Sequence, residues 1–261
     1  MLAEQRQSMI LSMVKQRGSL SITELQRKLK VSRETIRRDL LLLADRNALR
    51  KTHGGALSLE LTELERKEPE LAVREASNAE AKRTIGVRAA GLVPDGASVI
   101  LSGGSTVQAV ADALLVRQSL TIFTNSVVNC SKLAGRNQNR VYVLGGEVQA
   151  NNNATLGRDA TEMLANYFAD FAFVSAGAIS PAGVVMDYTR EEGELHRQML
   201  RSVRTSVVVA DSSKFNRYAP VRVDTFDKVA YLVTDQRPDG PLAAALAALP
   251  LEVLVSDEQP R

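Results

Sequence analysis

Apolar residues recur at helical spacing over the first part of the chain and then give way to a different rhythm. In "RQSMILSMVKQRG", Ile10, Met13 and Val14 share one face, and Gly18 follows as a stop. "SITELQRKLK" puts Ser21 three residues before Glu24, the pattern in which hydroxyl and carboxylate each satisfy a backbone N–H at a helix start. Leu25 and Leu29 then face a core. After Val31, Ser32 is placed to cap a third helix, whose Ile36, Leu40 and Leu43 form a stripe at i, i+4 and i+7. A very short turn separates the second and third helices. "ALRKTHGGALSL" sets a Gly-Gly pair between two short segments, which predicts a hairpin whose turn needs positive φ.

Residues 58 to 80 carry dense mixed charge and a proline, and read as a connection with some helix. From residue 81 the pattern alternates. "SVIL" leads to "STVQAVADALLV", "LTIFTN" to "SVVNCSKLAG", "RVYVLGG" to a polar loop and "FAFVSAGA" to "EEGELHRQMLRSV", while "TSVVVADSSKF", "VAYLVTD", "LAAALAAL" and "LEVLV" complete the series. Strands rich in Val, Ile and Phe alternating with helices predict a parallel α/β sheet covered on both faces. The expected organisation is a winged helix-turn-helix unit over 1–58, a linker over 59–80 and a larger α/β domain over 81–261.

Charge divides along the same line. Residues 1 to 60 hold 12 Lys/Arg against 6 Asp/Glu, and the remainder holds 21 against 24. A basic front module on a slightly acidic body fits an anionic partner, which charge alone leaves open between nucleic acid and a membrane surface. On the third helix, 100° per residue turns Arg37 and Arg38 away from the apolar stripe, with Arg33 at its margin and Thr35 in the first turn. In the plainer alternative Glu34 pairs with Arg38 at i, i+4 on a solvated helix. Two short helices and a tight turn, the second helix capped by Ser32 and presenting Arg and Thr, match the geometry that fills a DNA major groove. Arg50, Lys51 and His53 on the hairpin would reach phosphates or a minor groove.

Composition narrows the classes further. At 44% hydrophobic and 24% charged, 261 residues make a globular protein with room for more than one domain. No apolar run reaches bilayer length and the start lacks a signal-peptide pattern, so a cytoplasmic protein is expected. Cys130 is the single cysteine, which excludes an intrachain disulfide and a cysteine zinc cluster. There is no paired-histidine motif, P-loop or complete dinucleotide fingerprint; no cofactor and no metal are expected.

In open α/β sheets ligands bind beyond the carboxyl ends of the strands. Those positions hold Ser102-Gly103-Gly104-Ser105-Thr106, Thr124-Asn125-Ser126, Gly145-Gly146 and Asp211-Ser212-Ser213-Lys214. The first is a Gly-rich turn opening a helix, suited to a phosphate or serving only as a tight connection. Lys214 beside Asp211 supplies a cation and a hydroxyl-binding carboxylate, or a surface ion pair. Together they point to a polyhydroxy phosphate.

"VSRETIRRDLLLL" followed by "LRKTHGGA" resembles the helix-turn-helix and wing of the DeoR family of bacterial transcription regulators. "GGST", "TNS", "LGGE", "SAGAISPAGVVMDYTREEGELHRQM" and "ADSSKF" are similar to that family's sugar-phosphate sensor, whose fold is shared with ribose-5-phosphate isomerase-like enzymes. The resemblance implies a repressor of a carbohydrate-metabolism operon, with double-stranded operator DNA and a phosphorylated sugar or polyol as partners, acting as a homodimer or homotetramer. It implies an effector surrounded by Gly104, Ser105, Thr106, Thr124, Asn125, Glu192 and Lys214. "GVVMDY" is similar to members sensing glycerol 3-phosphate or a sulfo-sugar derivative. Ser102 stands where the family often has an acidic residue, Ser105 replaces the first threonine of its turn, and His196 replaces a common lysine. The rival is a sugar-phosphate isomerase or lactonase using Glu192, Asp211 and Lys214, if they converge.

Overall fold

Residues 3–17, 19–46, 48–51, 54–57 and 68–258 are described by the computed structural model, which divides into two units, Met1–Lys67 and Glu68–Arg261. The first contains α1 (Ala3–Arg17), β1 (Ser19–Ser21), α2 (Ile22–Leu29), α3 (Arg33–Asp45), β2 (Arg50–Lys51) and β3 (Gly55–Leu57). Ile10, Val14, Leu25, Leu29, Ile36, Leu40 and Leu43 meet in its core, as the periodicity predicts. The capping box at α2 is formed: the Glu24 N–H donates to Ser21 Oγ at 3.2 Å and the Ser21 N–H to Glu24 Oε2 at 2.9 Å. Lys30, with φ of 53°, ends α2, and Ser32 Oγ accepts the Thr35 N–H at 3.1 Å to start α3.

Three features of this unit depart from the sequence reading. A third strand, β1, joins the hairpin, with β3 between β1 and β2. Gly55 is not in the left-handed region; a Cβ there would stand 2.1 Å from the Leu20 carbonyl oxygen, so glycine is required by the close approach of β3 to β1. The buried stripe of α3 also includes Asp39, whose carboxylate receives Arg6 Nε at 2.5 Å and Gln7 Nε2 at 3.1 Å and so ties α3 to α1. Gly18 and His53 lie outside the described residues.

The second unit begins with α4 (Leu71–Ala76) and α5 (Ala79–Ala90), followed by β4 (Ser98–Leu101), α6 (Ser105–Ala113), β5 (Thr121–Thr124), α7 (Val127–Leu133) and β6 (Arg140–Val143). A hairpin, β7 (Glu147–Gln149) and β8 (Ala154–Leu156), leads to α8 (Arg158–Leu164) and β9 (Ala169–Ser175). The chain continues through β10 (Ala178–Ile179), β11 (Val184–Asp187), α9 (Arg190–Arg201), β12 (Val203–Val209), β13 (Val221–Thr225), β14 (Tyr231–Thr234), α10 (Gly240–Ala247) and β15 (Glu252–Val255). Seven strands pair in parallel in the order β15-β14-β12-β9-β4-β5-β6. Both faces are covered, which is why these strands read as continuous apolar runs. Ile100, Phe123, Val174 and Val208 pack on the side of α8, α9 and α10, while Val99, Leu101, Ile122, Phe173 and Val207 pack on the side of α5, α6 and α7.

The second unit starts earlier than residue 81. Residues 68–80 belong to it because Leu71 is buried and its N–H donates to the Asn151 carbonyl at 3.3 Å, while the Lys82 ammonium caps the end of α4 through the carbonyls of Arg74 and Ser77. Residues 59–67 of the expected linker lie outside the described residues. Helices α5 and α6 touch at Gly86, where a Cβ would come within 2.4 Å of the Ala109 carbonyl oxygen. Gly86→Ala is expected to force the two helices apart and cost about 2 kcal/mol. A lower urea midpoint for the second unit, followed by circular dichroism, checks it; an unchanged midpoint would mean the helices yield freely there.

Candidate functional site

The parallel sheet reverses its order between β4 and β9, and a cleft opens at the carboxyl ends of β4, β5 and β9. Gly103 and Gly104 form its floor. The Gly103 N–H donates to Asn125 Oδ1 at 2.9 Å, and Asn125 Nδ2 donates in turn to the Thr155 carbonyl at 2.9 Å, fixing the loop against β8. Gly104 has φ of 103° and a Cβ on it would meet Ser175 Oγ at 2.8 Å, so both conformation and space require glycine. Among the described residues no side chain caps the start of α6, which leaves the N–H groups of its first turn and the positive end of its dipole available to an anion.

Arg74, Lys214, Glu192, His196, Asp187, Glu68 and Asn152 line the cleft together with this turn. The free space among them is only about 30 Å³, room for water but not for a sugar phosphate. Glu192 also serves α9 directly: its Oε2 accepts the Thr189 hydroxyl at 2.9 Å in a capping box, while Oε1 accepts Asn152 Nδ2 at 2.6 Å. Burial, then repulsion from Glu68 and Asp187, pushes the Glu192 carboxyl up to about 7. His196 Nδ1 lies 2.7 Å from Asp187 Oδ2 with both side chains buried. Burial opposes a charged imidazole, but Asp187 and the neighbouring carboxylates outweigh it and raise the His196 pKa. Burial lowers that of Lys214, with Asp211 acting in the opposite direction.

Of the residues picked from the sequence, Gly103, Gly104, Ser105, Thr106, Asn125, Glu192 and Lys214 line this cleft. The others do not. Ser102 is fully buried beneath the loop, its Oγ accepting the Ser175 N–H at 3.1 Å, and Thr124 Oγ1 accepts the Ser126 N–H at 3.1 Å. Gly145 and Gly146 lie outside the lining, Gly146 packing toward the Leu156 carbonyl. Asp211 lies outside the lining, its Oδ1 accepting from Asn78 Nδ2 at 2.9 Å and the Ser213 N–H at 3.1 Å, and it reaches the cleft only through its charge on Lys214. Sequence reasoning missed Glu68, Arg74, Asn152, Ser175, Asp187 and His196 as lining residues. The available signals were the Asn151–Asn153 turn and the i, i+4 placement of Glu192 and His196 on one face of α9.

In the first unit, Arg33, Arg37, Arg38, Arg50 and Lys51 are exposed and Thr35 is half-buried beside the Ser32 cap. Among the described residues Glu34 and Arg38 form no ion pair, so the arginine face of α3 is not neutralised by its own helix. Leu41 and Leu42 are also exposed, one turn beyond Arg37 and Arg38.

A helix-turn-helix unit with a bare arginine face, followed by an α/β unit with an anion-suited cleft at its strand ends, defines a ligand-sensing transcriptional regulator. Residues 6–62 match the DeoR-like helix-turn-helix domain and residues 77–236 the DeoR C terminal sensor domain. The chain belongs to the DeoR family. It is 34% identical over 235 residues to the glycerol-3-phosphate regulon repressor of Haemophilus influenzae, covering 90% of each chain. It is 31% identical over 256 residues to the HTH-type transcriptional repressor CsqR of Escherichia coli, covering 97% of this chain and 95% of that one. Among solved structures, ribose 5-phosphate isomerase A from Methanocaldococcus jannaschii is 20% identical with a TM-score of 0.39, over 53% of this chain and 55% of that one. No helix among the described residues is long and apolar enough to cross a membrane.

Proposed function

We propose that this protein represses an operon of carbohydrate metabolism by binding operator DNA through α3 and the β2–β3 wing, and that a phosphorylated sugar or polyol in the sensor cleft controls this binding. The convergence of Arg74, Lys214 and the uncapped first turn of α6 on one cleft carries the effector reading, because three sources of positive potential there meet polar groups able to bind hydroxyls. A relative that is a glycerol-3-phosphate regulon repressor supports the same ligand class. Of the set named for the rival enzyme reading, Glu192 and Lys214 line the cleft while Asp211 lies outside its lining and accepts from Asn78, which favours the regulator. Two recognition helices set about one helical turn of DNA apart require at least a dimer, and the protein is proposed to act as a homodimer or homotetramer. Thermal-shift screening of the full chain against phosphorylated sugars and polyols tests the reading, because a ligand of the native state raises the melting temperature. A panel of such compounds that leaves the melting temperature unmoved would remove the effector assignment.

The site also predicts a pH response. As pH falls through about 7, Glu192 takes up a proton and loses its negative charge, while the raised pKa of His196 favours its protonated form. The loss of the Glu192 charge makes the cleft more positive. Affinity for a phosphate ester is therefore expected to rise severalfold between about pH 8 and about pH 6, less where the ligand itself becomes monoanionic near its second pKa of about 6. Calorimetric titration across that range checks it, and Glu192→Gln should flatten most of the response.

A further inference from the structure

We infer that Glu68 is an internal occupant of the sensor cleft, a carboxylate that an anionic effector must displace from Arg74. The inference rests on the effector reading above and adds how the ligand would be felt by the rest of the chain.

Glu68 Oε1 lies 2.7 Å from Arg74 Nη1, and Oε2 accepts Asn152 Nδ2 at 3.0 Å. The side chains of Glu68 and Arg74 are only 14% and 11% exposed. Arg74 Nη1 in turn stands 3.9 Å from the point where a Cβ on Gly104 would lie, so the guanidinium borders the anion-suited turn at the start of α6. Its direction is fixed from several sides: its Nε donates to the Pro69 carbonyl at 2.9 Å, its Nη2 to Asn152 Oδ1, and its own carbonyl is held by the buried Lys82 ammonium. Glu68 thus sits on the cation that a ligand phosphate would seek.

Two observations distinguish an occupant from an ordinary ion pair. The remaining cavity is too small for a sugar phosphate, so some lining group must leave before one enters. Glu68 is also the carboxylate that crowds the cleft: with Asp187 it repels Glu192, and its field reaches His196 and Lys214 as well. A phosphate ester carries a comparable or larger charge on three acceptor oxygens and can reach the α6 N–H groups. It can replace Glu68 on Arg74, whereas an uncharged sugar cannot.

Displacement would act at a telling place. Glu68 is the first residue of the sensor unit, directly after Lys67, the last of the DNA-binding unit. Release of Glu68 would loosen Pro69 and Glu70 and the start of α4, where the Leu71 N–H is held by the Asn151 carbonyl. The effector would then change the tether of the DNA-binding unit at its root, giving the differential binding to two states that any allosteric effect requires.

The test is calorimetric titration of inorganic phosphate into the full chain, together with hydrogen exchange of the Leu71 amide. Glu68→Gln, and Glu68→Ala as a second variant, are expected to bind phosphate about tenfold more tightly than the unchanged protein, and Arg74→Ala to bind it at least tenfold more weakly. Phosphate should speed exchange at Leu71 in the unchanged protein, and in both Glu68 variants exchange should be fast without it. If the Glu68 variants bind phosphate no more tightly while Arg74→Ala still weakens it, the cleft is an anion site and Glu68 is not its occupant. If phosphate binds none of these proteins, the effector reading and this inference fall together.

Discussion

Replacing Arg37 and Arg38 together by alanine is expected to lower operator affinity about a thousandfold, near 4 kcal/mol, taking about 2 kcal/mol for each arginine removed. Both side chains are exposed on the face of α3 opposite Ile36, Leu40 and Leu43, so their removal leaves the core of the first unit intact. Either single replacement should also cut the slope of log affinity against log salt by about one for each phosphate left unneutralised, because fewer counterions are released from the duplex. The measurement is fluorescence anisotropy with a duplex recovered by selection from random sequence, repeated over a range of salt. Equal affinity and slope in the double variant would move DNA recognition away from α3.

The second large effect is expected at Lys214. Lys214→Ala should weaken binding of a phosphorylated ligand about a hundredfold, since truncating one member of a desolvated charge pair costs about 2–5 kcal/mol. The ammonium belongs to the cleft, yet Lys214 follows β12 on a short turn whose backbone is held independently by Asp211 and by Asp235, which accepts the Ser212 N–H at 2.6 Å. Folding and operator binding should therefore survive. A thermal-shift titration read beside operator anisotropy separates the outcomes, and full retention of the ligand shift would take Lys214 out of the site.

How far the sequence foretold this arrangement depends on how local each signal is. The capping box at Ser21 and Glu24, the stripe of α3 and the outward Arg37 and Arg38 are set by neighbours within one or two turns, and the structure reproduces them. The parallel sheet was legible because strands buried on both faces read as unbroken apolar runs. The Gly103–Thr106 turn, Asn125 and Lys214 follow from the rule that ligands gather at strand ends, and Glu192 from the family resemblance alone, although the same rule also gathered Ser102, Thr124, Gly145, Gly146 and Asp211, which lie outside the lining. Which way such a residue faces is decided by partners distant in the chain, such as Asn78 for Asp211.

Glu68 and Arg74 were illegible for another reason. They lie in a run of mixed charge where each carboxylate looks as solvated as the next, and only the packing of Leu71, Asn152 and Lys82 singles them out. His196 and Asp187 form their pair across a β-strand end and a helix face, a meeting that spacing alone does not specify. Gly55 shows the converse, a glycine correctly marked as special whose reason was a strand contact and not a turn angle.

The central claim is that occupancy of the sensor cleft governs the grip of α3 on DNA. Its most direct measurement is titration of a panel of phosphorylated sugars and polyols into a preformed complex of the full chain with labelled operator, in parallel for the unchanged protein and Lys214→Ala. At least one compound is expected to release the unchanged protein at concentrations that leave the variant bound. A panel that raises the melting temperature of the unchanged protein but leaves its operator affinity the same would contradict the claim.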